Sequence, residues 1–131
     1  MTTELTMLVY STALLLVLIF IQATVGVRAQ GLPAMAGNRD HLPAPTEFQS
    51  RTKRLVDNHR EGLTLFAPLI LVAAVAHVST SWTALGAQLF FYSRVAHAAL
   101  YLTGIPWVRP LAWGVGMVGT IMVLAAALGW R

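Results

Sequence analysis

The chain has no cysteine, so it offers no disulfide framework, no thiolate nucleophile of its own and no cysteine-type zinc site. Charge is scarce as well. Charged residues make up 11% of the 131 residues, against roughly 25% in an average soluble domain. Residues 5–27, 62–93 and 110–130 contain no Asp, Glu, Lys or Arg at all. About 18–20 such residues suffice to cross a bilayer, and the middle stretch can hold two helices if it turns near Ser79-Thr80-Ser81. What fills these stretches is apolar, at 56% of the whole chain. A soluble enzyme is excluded, and one polytopic all-α membrane domain over residues 1–131 is expected.

The net charge is +4, which in a soluble protein would hint at nucleic acid. Here six of the nine basic residues fall between Arg28 and Arg60, beside an apolar segment, and they serve better as a topology signal. No nucleic-acid partner is expected. Ala34-Met35-Ala36 has the form of a signal-peptidase site, but Met1 to Thr6 carries Glu4 and no Lys or Arg, and Arg28 interrupts the approach. The first segment is therefore expected to stay as a span.

Four spans are expected, at about 5–27, 62–79, 82–103 and 110–130. Gly31, Pro33, Gly37, Pro43 and Pro45 forbid a long helix through the first loop. Thr46 or Ser50 can cap the second helix, which starts at about 47 and extends beyond the hydrocarbon before its membrane part begins. Pro68 should kink it. The basic loops put both termini outside and residues 28–61, with Arg109, in the cytoplasm. Short loops and no evident targeting segment suit a bacterial inner membrane.

Polar groups at membrane depth are costly and point to function. Arg51, Arg54, Asn58 and Glu61 recur at helical spacing on the second helix, and Arg94, His97 and Tyr101 do so on the third. The plain account of the first stripe is a solvated face with ion pairs. Arg94 needs a carboxylate or a polar cavity, so either a structural Glu61–Arg94 pair or a shared pocket is open. Gly114, Gly116 and Gly119 spell G-x-G-x-x-G, but no strand precedes them, and glycines in an apolar span more often serve close helix packing. His41, His59 and His77 have no metal-site spacing, and no metal is expected.

Arg54-x-x-x-Asn58-x-x-Glu61, then Arg94-Val-Ala-His97-x-x-x-Tyr101 and Arg109, resembles the MAPEG family, the membrane-associated proteins in eicosanoid and glutathione metabolism. The likeness covers nearly the whole chain, and the Arg-Val-Ala-His-x-x-x-Tyr segment is similar to the prostaglandin synthase branch. Gly62 and His97 stand where the leukotriene branch carries tyrosines, which argues against leukotriene synthesis. The resemblance implies a four-helix bundle assembled as a homotrimer, with glutathione as co-substrate in a cleft between subunits. It implies that Arg51, Arg54, Asn58 and Glu61 hold the peptide's carboxylates and amine, with Arg94, His97 and Tyr101 contributing from the third helix. Arg109 would face the thiol, and Arg28 would reach across from a neighbouring subunit. A lipophilic second substrate would enter from the membrane lipid. The implied activity is glutathione transferase- or peroxidase-like. A non-catalytic relative that binds another anion or serves assembly, and a small transporter with Glu61 and Arg94 as its coupling pair, are the alternatives.

Overall fold

The computed structural model describes residues 1–130. Helix α1 spans Thr3–Gln30, and the Thr2 hydroxyl caps it by accepting from the Leu5 amide. Gly31 ends it at φ 87°, a backbone angle that costs glycine nothing. A single-turn helix, α2 (Leu32–Ala36), follows with a proline in its first turn. The loop prolines and glycines forbid a long helix, yet Pro33 near a helix start is favourable because its missing N–H would be unpaired there anyway.

Helix α3 spans Glu47–Val75, and of the two expected caps the structure uses Thr46. Its hydroxyl accepts from the Gln49 amide while the Gln49 side chain accepts from the Thr46 amide, a reciprocal pair that satisfies two otherwise orphaned donors. The helix runs on through Pro68 and stops four residues short of the expected Ser79. The connection turns at His77, which sits at φ 54°. Helix α4 spans Ser81–Thr103, with Thr80 and Thr83 forming a second capping box and Gly104 closing it in the left-handed conformation. Helix α5 spans Val108–Ala127, starting two residues before the expected Pro110 and ending before Trp130. Among the described residues there is no strand.

Consecutive long helices run antiparallel. The start of α1 meets the α3–α4 turn, where Glu4 is buried and accepts hydrogen bonds from Thr83 at 2.5 Å and from Ser79 at 3.1 and 3.2 Å. The start of α4 meets the end of α5, where the Trp82 indole donates to the Met122 carbonyl at 3.2 Å. Between these ends lies a core of Met7, Leu63, Phe66, Ile70, Ala87, Phe90 and Val123, with the Phe66 and Phe90 rings stacked 3.9 Å apart. A second cluster of Leu18, Leu55, Val56, Ala98 and Tyr101 fills the other half.

The outside of the bundle is apolar too: Val9, Leu16, Val17 and Phe20 on α1 and Leu111, Val118 and Ile121 on α5 are exposed. So wide an apolar surface suits lipid and would be a liability in water. Helices α1 and α5 are each long and apolar enough to cross a membrane. Helices α3 and α4 have 29 and 23 residues, or about 44 and 35 Å at 1.5 Å per residue, and they carry the inward-facing polar groups.

Glu4 gives the fold its first test. Glu4→Ala removes the carboxylate that accepts from the buried Thr83 hydroxyl and from Ser79, at a cost of about 1–3 kcal/mol for hydrogen bonds to a charged group. Thermal unfolding in detergent should show a midpoint several degrees lower. An unchanged midpoint would mean that this polar clasp contributes nothing to holding α1 against the turn.

Candidate functional site

Polar side chains from three helices converge at the opposite end of the bundle from Glu4. Thr46 and its capping box fix the start of α3, which sets the register of Arg51, Arg54 and Asn58 on successive turns. From α4, Arg94, His97 and Tyr101 all point inward and are buried. Gly104 ends α4, and the Arg51 guanidinium packs so close that a Cβ at Gly104 would stand 3.1 Å from its Nη1. After this short turn α5 opens with Arg109 in its first turn.

Hydrogen bonds and rings join these groups. The Arg54 Nε donates to the Tyr101 hydroxyl at 3.2 Å, and the Arg109 guanidinium lies over the Tyr101 ring at 4.5 Å from its centre. The His97 and Tyr101 rings are 5.4 Å apart. Arg94 Nη1 donates to Asn58 Oδ1 at 2.8 Å. Asn58, His97, Tyr101, Arg109, Pro110 and Trp113 line a cavity of about 270 Å³. Beside it, Pro45, Glu47, Ser50, Arg51 and Arg54 line a polar pocket of about 390 Å³.

The chemistry of the cavity follows from proton counting. A phenol that accepts from arginine still has its own O–H to give, and guanidinium groups can only donate. Tyr101 therefore presents a donor beside Arg109. Such a wall suits carboxylates or a thiolate, which only accept.

The expected residues do not all reach this cavity within one chain. Arg94 packs behind it, 1% exposed, between α3 and α5. A Cβ at Gly62 would come within 2.6 Å of Arg94 Nη2, and one at Gly116 within 3.4 Å of Nε. The guanidinium also lies over the Phe90 ring at 5.2 Å, while Nε and Nη2 have no hydrogen-bond partner. Glu61 is exposed and is in no ion pair among the described residues, so the partner of Arg94 is Asn58. The bare backbone at Gly62 leaves room for the guanidinium. Arg28 is likewise exposed and lines a separate apolar groove of about 650 Å³ along α1, with Phe20, Ile21 and Phe48. The polar groups of this groove are few, and the convergent cations lie elsewhere, so the smaller cavity is the better candidate for binding chemistry.

Trp113 is the lining residue that the motifs passed over. Its position four after Arg109, on the same helix face, was the available signal. The glycines at 116 and 119 serve packing, as their apolar context suggested. Among the described residues no group of three or more His, Asp or Glu side chains stands together as a metal site.

A family model described as the MAPEG family matches residues 7–129 of the chain. Neither a curated protein nor a solved structure matches it.

Proposed function

Because the chain belongs to the MAPEG family, and because Arg109 and Tyr101 bring donors to its cavity, we propose that it is a glutathione-dependent membrane enzyme acting on an apolar electrophile. Membership makes it an integral membrane protein related to glutathione and eicosanoid metabolism. The finer assignment rests chiefly on one observation: Arg109 stacks on Tyr101, whose oxygen already accepts from Arg54. That leaves cationic and O–H donors facing a space of about 270 Å³.

In this proposal the unit is a trimer of four-span chains, with spans at about 5–27, 62–79, 82–103 and 110–130 in one domain. The loop at 28–61 faces the cytoplasm. Arg51 and Arg54 hold carboxylates of the tripeptide as bidentate forks. Asn58 donates its amide, His97 and Tyr101 line the cleft, and Glu61 pairs with the α-amino group. Glu61 and Arg28 are exposed in the single chain, which suits a ligand shared with a neighbouring subunit. Arg109 faces the sulfur.

A free thiol ionises at about pH 8.5. A guanidinium beside it favours the thiolate and so raises the nucleophilic fraction at neutral pH. The thiol proton leaves to solvent, sulfur forms a bond to the electrophilic atom, and that atom either releases its leaving group or opens a π bond or ring. Conjugation, peroxide reduction and isomerisation all begin with this thiolate. The electrophile arrives from lipid, past Pro110 and Trp113.

Ultraviolet difference titration of detergent-purified protein with glutathione tests the proposal at the thiolate absorption band. A saturable band at neutral pH is the expected result. Folded protein with no band would remove thiol activation and leave a binding or structural relative. Solute flux in proteoliposomes that Glu61→Gln abolishes would favour a transporter instead.

A further inference from the structure

The buried Arg94 makes one hydrogen bond with three nitrogens available, and two glycines on two helices keep a place open for it. Unpartnered buried donors are rare enough to require an explanation. Solvation cannot supply it: the side chain is 1% exposed and faces Gly62, Gly116 and the Phe90 ring. Nor does Arg94 line the cavity, so direct contact with a ligand there is not its role.

Its one bond falls on an atom with a consequence. An asparagine amide has an acceptor end and a donor end, and it can present either to a neighbour by turning over. Arg94 has only donors, so the end it holds must be Oδ1. The Nδ2 end, with its two N–H groups, is then left for the cavity that Asn58 lines.

We propose that Arg94 is a positioning residue: it fixes the Asn58 amide so that the cavity meets a donor, and Gly62 and Gly116 are the gaps through which its guanidinium reaches that amide. Tyr101 likewise accepts from Arg54 and keeps its own O–H to donate. At Asn58 and Tyr101 the cavity wall then offers donors, which suits a ligand group that accepts, such as a carboxylate or thiolate. The ligand rests on the glutathione proposal above; the Arg94–Asn58 relation rests on geometry alone.

A double-mutant cycle tests the relation through glutathione binding, measured calorimetrically in detergent. Arg94→Met should weaken binding about tenfold, the size of one hydrogen bond, in the otherwise unaltered protein. On top of Asn58→Ala it should weaken binding less than about twofold, because nothing remains to position. Arg94→Lys, which keeps a donor on the same helix turn, should recover much of the loss. Equal weakening in both backgrounds would overturn the proposal.

A second readout needs no ligand. The chain has two asparagines, Asn38 and Asn58, so ¹⁵N-asparagine labelling gives two side-chain amide pairs. The Asn58 pair should move in Arg94→Met and in Gly62→Ala, and return toward its original position in Arg94→Lys, while the Asn38 pair stays. An Asn58 pair indifferent to Arg94→Met overturns the proposal whether or not glutathione binds. A pair that responds as expected, in protein that ignores glutathione, upholds the positioning role and removes glutathione as the ligand.

Discussion

Replacing Arg109 with alanine is expected to erase the thiolate band at neutral pH and to lower turnover by about 10²–10³, the usual effect of removing one well-placed charge-stabilising donor. Glutathione affinity should fall far less if, as proposed, Arg51, Arg54 and Asn58 hold the rest of the peptide. The pH profile separates this from general damage. On the proposed function, the thiol bound beside Arg109 is expected to have a lowered pKa, with the rate already near its plateau at neutral pH. In Arg109→Ala the thiol returns toward its ordinary value of about 8.5, and the rate should climb as pH rises through that value. Arg109→Lys should sit between the two, since it restores charge but not the planar stacking on Tyr101. A variant whose rate stays equally low at every pH would show that Arg109 does something other than stabilise a thiolate.

The largest effect on stability is expected from Gly119→Val. Helices α4 and α5 touch backbone to backbone at this crossing: a Cβ at Gly86 would stand 2.8 Å from the Gly119 carbonyl, and one at Gly119 would stand 2.9 Å from the Phe90 amide. Neither obstacle is a flexible side-chain tip, so the helices must separate. Separation weakens the Trp82–Met122 bond and the seat of Arg94 against Gly116 together. Overpacking usually costs about 1–3 kcal/mol, and against immovable backbone the upper end or more is expected. Thermal scans in detergent, with size-exclusion to follow assembly, would register it. Gly114→Ala is the internal control. Nothing lies within 4 Å of a Cβ there, and alanine favours helix over glycine, so the midpoint should hold or rise. Equal losses at 114 and 119 would refute the close-packing account of this glycine run.

Helices were legible in the sequence because three long stretches carry no charge, and because threonines stand at the caps. Thr46 and Thr80 each have a partner three residues on, in Gln49 and Thr83. That Arg54 and Asn58 share one face of their helix, and Arg94 and Tyr101 one face of theirs, follows from 3.6-residue periodicity. Which polar group pairs with which does not follow from periodicity. Glu61 carries the opposite charge, yet the Arg94 guanidinium bonds Asn58 in space that the bare backbone of Gly62 leaves open. Glu4 illustrates the same limit at the other end. Sequence position marks it as a stray charge before a span, while its role depends on Ser79 and Thr83 arriving from far along the chain. Subunit number is written in neither place, because the spans carry no repeat that counts to three.

Trp113 is both part of the cavity wall and 43% exposed on a helix whose neighbouring residues Leu111 and Val115 face outward. On the proposed function, an apolar substrate crosses from bilayer to active site without re-entering water. Its supply is then a two-dimensional matter, governed by mole fraction in the membrane. Adding lipid at constant total substrate dilutes the reactant, and the oil–water partition coefficient enters the apparent KM as a multiplier. Two electrophiles of equal intrinsic reactivity would be ranked by how well they dissolve in the bilayer, so chain length alone could masquerade as specificity.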